Sequence, residues 1–179
     1  MSMFDTIEEF VKPLLIIPLK SYQKIMAYTQ LADGEITQFA DISYDREKNA
    51  FVMGEVYLLK QEAGSAHVEM DEQIIADFNL QLIKQGVAQL PRCWIHSHVE
   101  MDTFFSGIDT DTIDQLVNES FTIAIVVNKS KKMRALLRLW QPFVLTIDDL
   151  PIQVDYGYEK IPKALHDEVK KKVKGQKSY

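Results

Sequence analysis

Cys93-Trp94-Ile95-His96-Ser97-His98, followed after seven intervening residues by Ser106-Gly107-Ile108-Asp109, decides the reading of this chain. Arg92 to His98 reads as a strand, and in a strand residues i and i+2 point to the same face. His96 and His98 therefore aim two imidazoles at one point. Two imidazoles and one carboxylate are a usual ligand set for catalytic zinc. The ten residues between His98 and Asp109 let the chain loop out and bring that carboxylate back as the third ligand. Ser106-x-x-Asp109 also reads as a helix start, with Ser as the cap and Asp near the positive end of the dipole. A carboxylate in the first turn of a helix is held more rigidly than one on a loop.

Working outward, residues 107–119 read as that helix, with Ile113, Leu116 and Val117 on one face. Phe121 to Val127 is a continuous apolar strand of the kind buried on both faces. Asn128 to Lys131 is a turn, and Lys132 to Trp140 returns as a hairpin partner. Phe143–Ile147 and Ile152–Tyr156 read as short strands that continue the hairpin-linked run. Upstream, Leu14 to Leu19 is a buried strand whose Pro18 places it at an edge or near a strand end. Ser21 is placed to cap a helix to about Ala32, with Ile25, Met26, Tyr28 and Leu31 facing inward. Asp33-Gly34 is a turn, Glu35 opens an extended stretch from Ile36 to Ser43, and Asp45 to Asn49 is a polar turn before a strand over Ala50–Leu59. Ala66 to Met70 reads as a short strand. Asp71 would cap an amphipathic helix with Ile74, Ile75, Phe78, Leu82 and Ile83 inward, stopped by Gly86. Phe4, Ile7, Phe10 and Val11 have helical spacing up to Pro13. The mixture predicts an α+β domain, a mixed sheet flanked by helices, rather than a regular βαβ alternation.

The chain has 179 residues and a formal net charge of −6. That suits one domain able to bury a core without disulfides, and the single cysteine, Cys93, excludes a disulfide framework and a Cys-rich zinc finger. The division expected is a helical extension over 1–13, a domain over 14–155 and a basic helix or tail over 156–179. Seven lysines against two acids give residues 160–179 a charge of +5, leaving −11 on residues 1–159. An acidic body argues against nucleic-acid binding by that body. The tail reads as a solvated terminal helix, or as a contact for an acidic partner. No run is long enough to cross a bilayer, and the first residues lack the basic region of a secretory signal, so a cytoplasmic protein is expected.

Three protein ligands leave a fourth metal position for water, whose pKa on zinc falls to roughly 7. Hydrolysis then needs a base to take its proton and a donor for the developing oxyanion. Ser106 is the natural donor, and Glu35, at the mouth of an early strand, is the candidate base. Taken singly, each residue has a plainer explanation: a solvated His pair, a helix-start Asp, a cap Ser, and one Glu among several near strand ends (Glu55 and Glu62 are others). With four His, nine Ser and fourteen Asp in the chain, the full spacing arises by chance well under about one time in a thousand. A metallo-β-lactamase-type site needs more histidines than His67 and His166 can add. An amidohydrolase barrel needs a longer chain with its His pair near the start. No phosphate-binding loop of the Walker type and no serine-nucleophile elbow is present.

His96-Ser97-His98-x7-Ser106-x2-Asp109, preceded by a Glu that opens a strand, resembles the JAMM motif of the JAB1/MPN/Mov34 metalloprotease family. The order of elements from Leu14 to Trp140 resembles that layered MPN domain, of the cytidine-deaminase-like type. The match is sharpest over residues 92–128. Met101 and Phe104-Phe105 are similar to the prokaryotic and phage-type branch. The resemblance implies one zinc ion per chain on His96, His98 and Asp109, with Glu35 as general acid/base and Ser106 stabilising the tetrahedral intermediate. Ser97 would be structural. It also implies a protein or peptide substrate, often the C-terminal tail of a ubiquitin-like protein, clamped by β-addition and cut at a peptide or isopeptide bond. Val99 stands where most members have Pro, and Gln38 where a Gly is usual. The competing expectation is a non-catalytic scaffold on the same fold. Oligomeric state is not legible in the chain. Cys93, three residues before His96, falls on the opposite strand face and is expected to be a buried core thiol. Trp94 and Trp140 read as core or interface aromatics, and His67 and His166 as ordinary histidines.

Overall fold

Every residue from Phe121 to Val127 is buried, as an apolar run covered on both faces requires. A computed structural model of the chain describes residues 11–63, 72–116 and 120–157. In it this run is the fifth strand. The strands are β1 (Leu14–Pro18), β2 (Thr37–Asp45), β3 (Ala50–Tyr57), β4 (Cys93–Ser97), β5 (Phe121–Val127), β6 (Met133–Leu139), β7 (Leu145–Ile147) and β8 (Ile152–Asp155). The helices are α1 (Leu19–Leu31), α2 (Glu72–Lys84) and α3 (Gly107–Gln115). All eight strands join one sheet in the order β7-β6-β5-β4-β2-β3-β1-β8. The pairs β1–β3, β1–β8 and β4–β5 are parallel. The pairs β2–β3, β2–β4, β5–β6 and β6–β7 are antiparallel. The architecture is thus α+β, a mixed sheet flanked by helices.

Strand alternation sorts the core into two layers. On one face α1 sets Ile25 and Met26 against Leu15, Ile17, Ile42, Met53, Ile95, Ile123, Ile125 and Leu137. On the other, Phe39, Trp94, Ala124 and Leu136 meet Ile113 of α3, with Ile75 of α2 partly buried against them. Along β4, Cys93 and Ile95 belong to the first layer and Trp94 to the second. His96 follows Trp94 onto the second face. That face is thinly covered, because α2 buries only Leu82 and stands as a wall rather than a lid.

Several local expectations are corrected. The α1 helix starts three residues earlier than a Ser21 cap would put it. Its N-cap is Pro18, with φ −56° and no side-chain cap bond, because β1 runs straight into the helix. Ser21 instead donates from Oγ to the Gly54 carbonyl, 2.7 Å away, tying α1 to β3. Leu31, expected inward, is 82% exposed at the last turn of α1. Ile83 is likewise exposed, in the last turn of α2, and Gly86, at φ +78°, stops the chain just beyond. The last strand does not continue the hairpins but crosses to the far edge and pairs with β1. Residues 11–13 are not helical, and the rest of the expected 1–13 helix lies outside the described residues. So do the strand at Ala66–Met70, the Asp71 cap, Val117, His67, His166 and the basic tail from residue 158 onward.

Candidate metal centre

The site forms where β2, β4 and α3 meet. Glu35 and Ile36 precede β2, and Thr37 is paired in register with His96. Ser97 fixes this junction. Its Oγ accepts from the Ile36 N–H at 2.8 Å, and its own N–H donates to the Ile36 carbonyl at 3.0 Å. The middle residue of His96-Ser97-His98 therefore holds the backbone beside Glu35. Both ends of this bond are buried, so Ser97→Ala would leave the Ile36 N–H without its acceptor. We expect a loss of about 1–3 kcal/mol in urea unfolding and about tenfold weaker metal binding, since the strand end that carries His96 and His98 loses this tie. Wild-type values for both would remove Ser97 from this role.

His96 lies with its ring stacked on Trp94, centroids 5.3 Å apart and planes 7° from parallel. His98 meets Phe104 edge-on at 5.0 Å. The His98 Nδ1 bonds the Asp102 carbonyl at 2.9 Å. A carbonyl can only accept, so Nδ1 carries the proton and Nε2 is left as a ligand atom. The loop that provides this carbonyl is itself clamped. Asn128, buried at the end of β5, donates from Nδ2 to the Met101 carbonyl at 2.8 Å, while its Oδ1 accepts from the Lys132 N–H at 3.0 Å. Val99, immediately after His98, has φ +47°, a strained conformation for a β-branched residue. Its carbonyl accepts from the Lys129 N–H at 2.7 Å, which helps hold it there.

Helix α3 starts with a reciprocal cap. Ser106 Oγ accepts from the Asp109 N–H at 3.2 Å, and Asp109 Oδ2 accepts from the Ser106 N–H at 2.7 Å. Ser106 Oγ also donates to Asp109 Oδ2 at 2.7 Å. In this structure, then, the Ser106 hydroxyl orients Asp109.

These parts converge. Glu35 Oε2 lies 3.5 Å from His96 Nε2. The Asp109 carboxylate bridges the two rings, Oδ1 at 3.7 Å from His96 Nε2 and Oδ2 at 3.6 Å from His98 Nε2. Glu35, His96 and His98 can each offer a ligand atom within 4.8 Å of the other two, and this buried group can hold one metal ion. Asp109 stands alongside, its Oδ2 shared between Ser106 and His98. Two tests of fit favour a cation. The separations of 3.5–3.7 Å exceed the about 2.7–2.9 Å of a charge-assisted hydrogen bond. They approach the roughly 3.3 Å between neighbouring atoms on a tetrahedral ion with bonds of about 2.0–2.1 Å. Second, two carboxylates and two imidazoles with side chains only 2–8% exposed are costly to bury unless a positive charge offsets them.

The group forms the floor of a cleft of about 1030 Å³. Phe39, Ile75, Met101, Phe104 and Leu116 contribute apolar walls, and Thr37, Gln61, Glu62 and Glu72 a polar side. Of the other acids considered for the base, Glu55 is hydrogen-bonded to Lys24, which holds its carboxyl below the usual range. Glu62 lines the cleft but is not one of the clustered metal-ligand residues. Cys93 is buried on the opposite layer as expected, and burial pushes its thiol pKa well up, so it is neither ligand nor nucleophile. Sequence reasoning missed Asn128, whose turn-like neighbours hid its role in holding the His98 loop.

Compared with protein-family models and with curated proteins, the chain finds no match. Solved structures do match. A Desulfitobacterium hafniense protein determined in solution is similar over 81% of this chain and 95% of its own, at 16% identity and a TM-score of 0.55. That likeness shows the fold alone. Fold and site together define an α+β protein with a buried carboxylate–imidazole group able to hold one metal ion. No helix among the described residues is long and apolar enough to cross a membrane.

Proposed function

We propose that the chain is a zinc-dependent peptidase or isopeptidase of the JAB1/MPN/Mov34 type, on an MPN-like fold. The observation that carries this reading is the convergence of Glu35, His96, His98 and Asp109 on the floor of an open cleft. The resemblance of His96-Ser97-His98-x7-Ser106-x2-Asp109 to the JAMM motif supports it further. In this reading His96, His98 and Asp109 hold the ion. When bound, zinc supplies a Lewis acid and lowers the pKa of a water in its open position.

The chain's own residues do the rest. Glu35, beside His96 and buried, takes a proton on a carboxylate oxygen from the attacking water and returns it to the leaving amine. Ser106 orients Asp109 through the bond from its hydroxyl. To serve as oxyanion donor it turns that hydroxyl away from Oδ2 toward the cleft. Trp94 and Phe104 flank the two imidazoles and keep bulk water off their faces. The substrate is a protein or peptide, with ubiquitin-like tails among the candidates, and the site of action is the cytoplasm.

The test is the metal content of protein purified without added metal, followed by incubation with ubiquitin-like fusions and peptide pools. We expect about one zinc per chain and cleavage that stops on chelation. A protein that takes up no metal when zinc is supplied would sink the reading and leave a non-catalytic scaffold.

A further inference from the structure

At its start strand β2 is paired with β4 alone, because its ladder with β3 reaches only to Phe39. Its partner β3 ends at Tyr57, opposite Phe39, and the chain then turns away. The next position on that side of β2 is Thr37. Residues of a strand direct their own N–H and C=O to one side and those of their neighbours to the other. Ile36 points toward β4, where Ser97 meets it, so Thr37 points toward the place β3 has vacated.

The side chain of Gln61 fills that place. Its Oε1 accepts from the Thr37 N–H at 2.6 Å, and its Nε2 donates to the Thr37 carbonyl at 2.7 Å. The remaining Nε2 proton goes to the Leu59 carbonyl at 3.0 Å. A carboxamide is chemically a peptide group, and here it makes the two bonds a neighbouring strand would make. Thr37 and Gln61 both line the cleft that holds the metal group. Glu35 lies two residues along the same edge, about 7 Å away at the rise of a strand.

We propose that the β2 edge at Thr37 is a binding subsite for the main chain of an extended peptide, and that the Gln61 carboxamide is its internal stand-in. An incoming peptide displaces Gln61 and pairs with Thr37 at the cleft that holds the metal group. Gln61 satisfies two backbone groups while no peptide is bound and competes with the peptide when one arrives. The inference rests on reading the cleft as a peptide-cleaving site.

The experiment separates the two. A pool of fluorescent, N-acetylated octapeptide amides is screened by anisotropy against wild type, Gln61→Met and Gln61→Ala. Each protein is tested as purified and after chelation, with its metal content recorded. Gln61→Met keeps the bulk of the side chain and loses both bonds, and thermal melting reports whether each variant is folded. The tightest octapeptide is then remade with each backbone amide N-methylated in turn. We expect about tenfold tighter binding to Gln61→Met than to wild type, the equivalent of about one hydrogen bond no longer displaced. Methylation of one particular amide should abolish the gain. Equal or weaker binding to both folded variants, indifference to methylation at every position, or no binding to any of the proteins would overturn the proposal. Absence of metal with the gain intact would instead sink the hydrolase reading and leave the subsite standing.

Discussion

His98→Ala is expected to empty the site, taking bound zinc from about one ion per chain to a trace. The His98 Nδ1 is committed to the Asp102 carbonyl, so its Nε2 faces the carboxylates as a pre-oriented ligand. Loss of a merely supporting residue costs about 10–100-fold in metal affinity. Loss of a ligand atom should exceed that, to a change of more than about a hundredfold. Folding should suffer less, because the bond to Asp102 is worth only about 1 kcal/mol and Asn128 still clamps the loop from the other side. Metal analysis and a zinc titration, run beside a urea melt, separate the two effects. Wild-type zinc content in a folded His98→Ala protein would overturn the assignment of this ring.

Glu35→Gln is expected to keep the metal and lose turnover by about 10²–10⁴-fold, the usual contribution of a positioned base. Asp109→Asn should do the reverse and lose metal. The comparison is needed because the two carboxylates are nearly equivalent by distance, Glu35 at 3.5 Å and Asp109 at 3.7 Å from the same His96 nitrogen. What separates them is their surroundings. Asp109 is fixed by three hydrogen bonds with Ser106 in the first turn of a helix. Glu35 precedes a strand whose next residue is held by Ser97. If zinc leaves with Glu35→Gln and stays with Asp109→Asn, the roles are exchanged.

Much of this was readable in the chain because the signals were local. The unbroken apolar run of β5, the alternation of β4 and the Ser106/Asp109 cap each carry their geometry within a few residues. The convergence of Glu35 on the His pair was inferred only by its place at a strand mouth. The structure supplies the reason, a register in which Thr37 faces His96. What was not legible depends on distant partners. Nothing near Ile152 says that it pairs with Leu15. Nothing near Ser21 says that its hydroxyl is taken by Gly54. The periodicity of α2 promised a buried face, but the helix walls a cleft instead. Its Phe78 and Asn79 line a second hollow of about 450 Å³, which shares Phe39, Ile75 and Trp94 with the first.

The parallel pairing of β1 with β8 has a mechanical side. The two strands lie side by side in register from Leu15↔Ile152 to Pro18↔Asp155. The chain enters this pair at Leu14 and leaves it at Asp155, at opposite ends. A pull applied through those two points drags the strands along each other and loads all their hydrogen bonds at once. Antiparallel neighbours pulled from one end would instead open bond by bond. The sheet therefore ends at this edge on a seam that resists shear, and a force acting through Leu14 and Asp155 meets its strongest direction first.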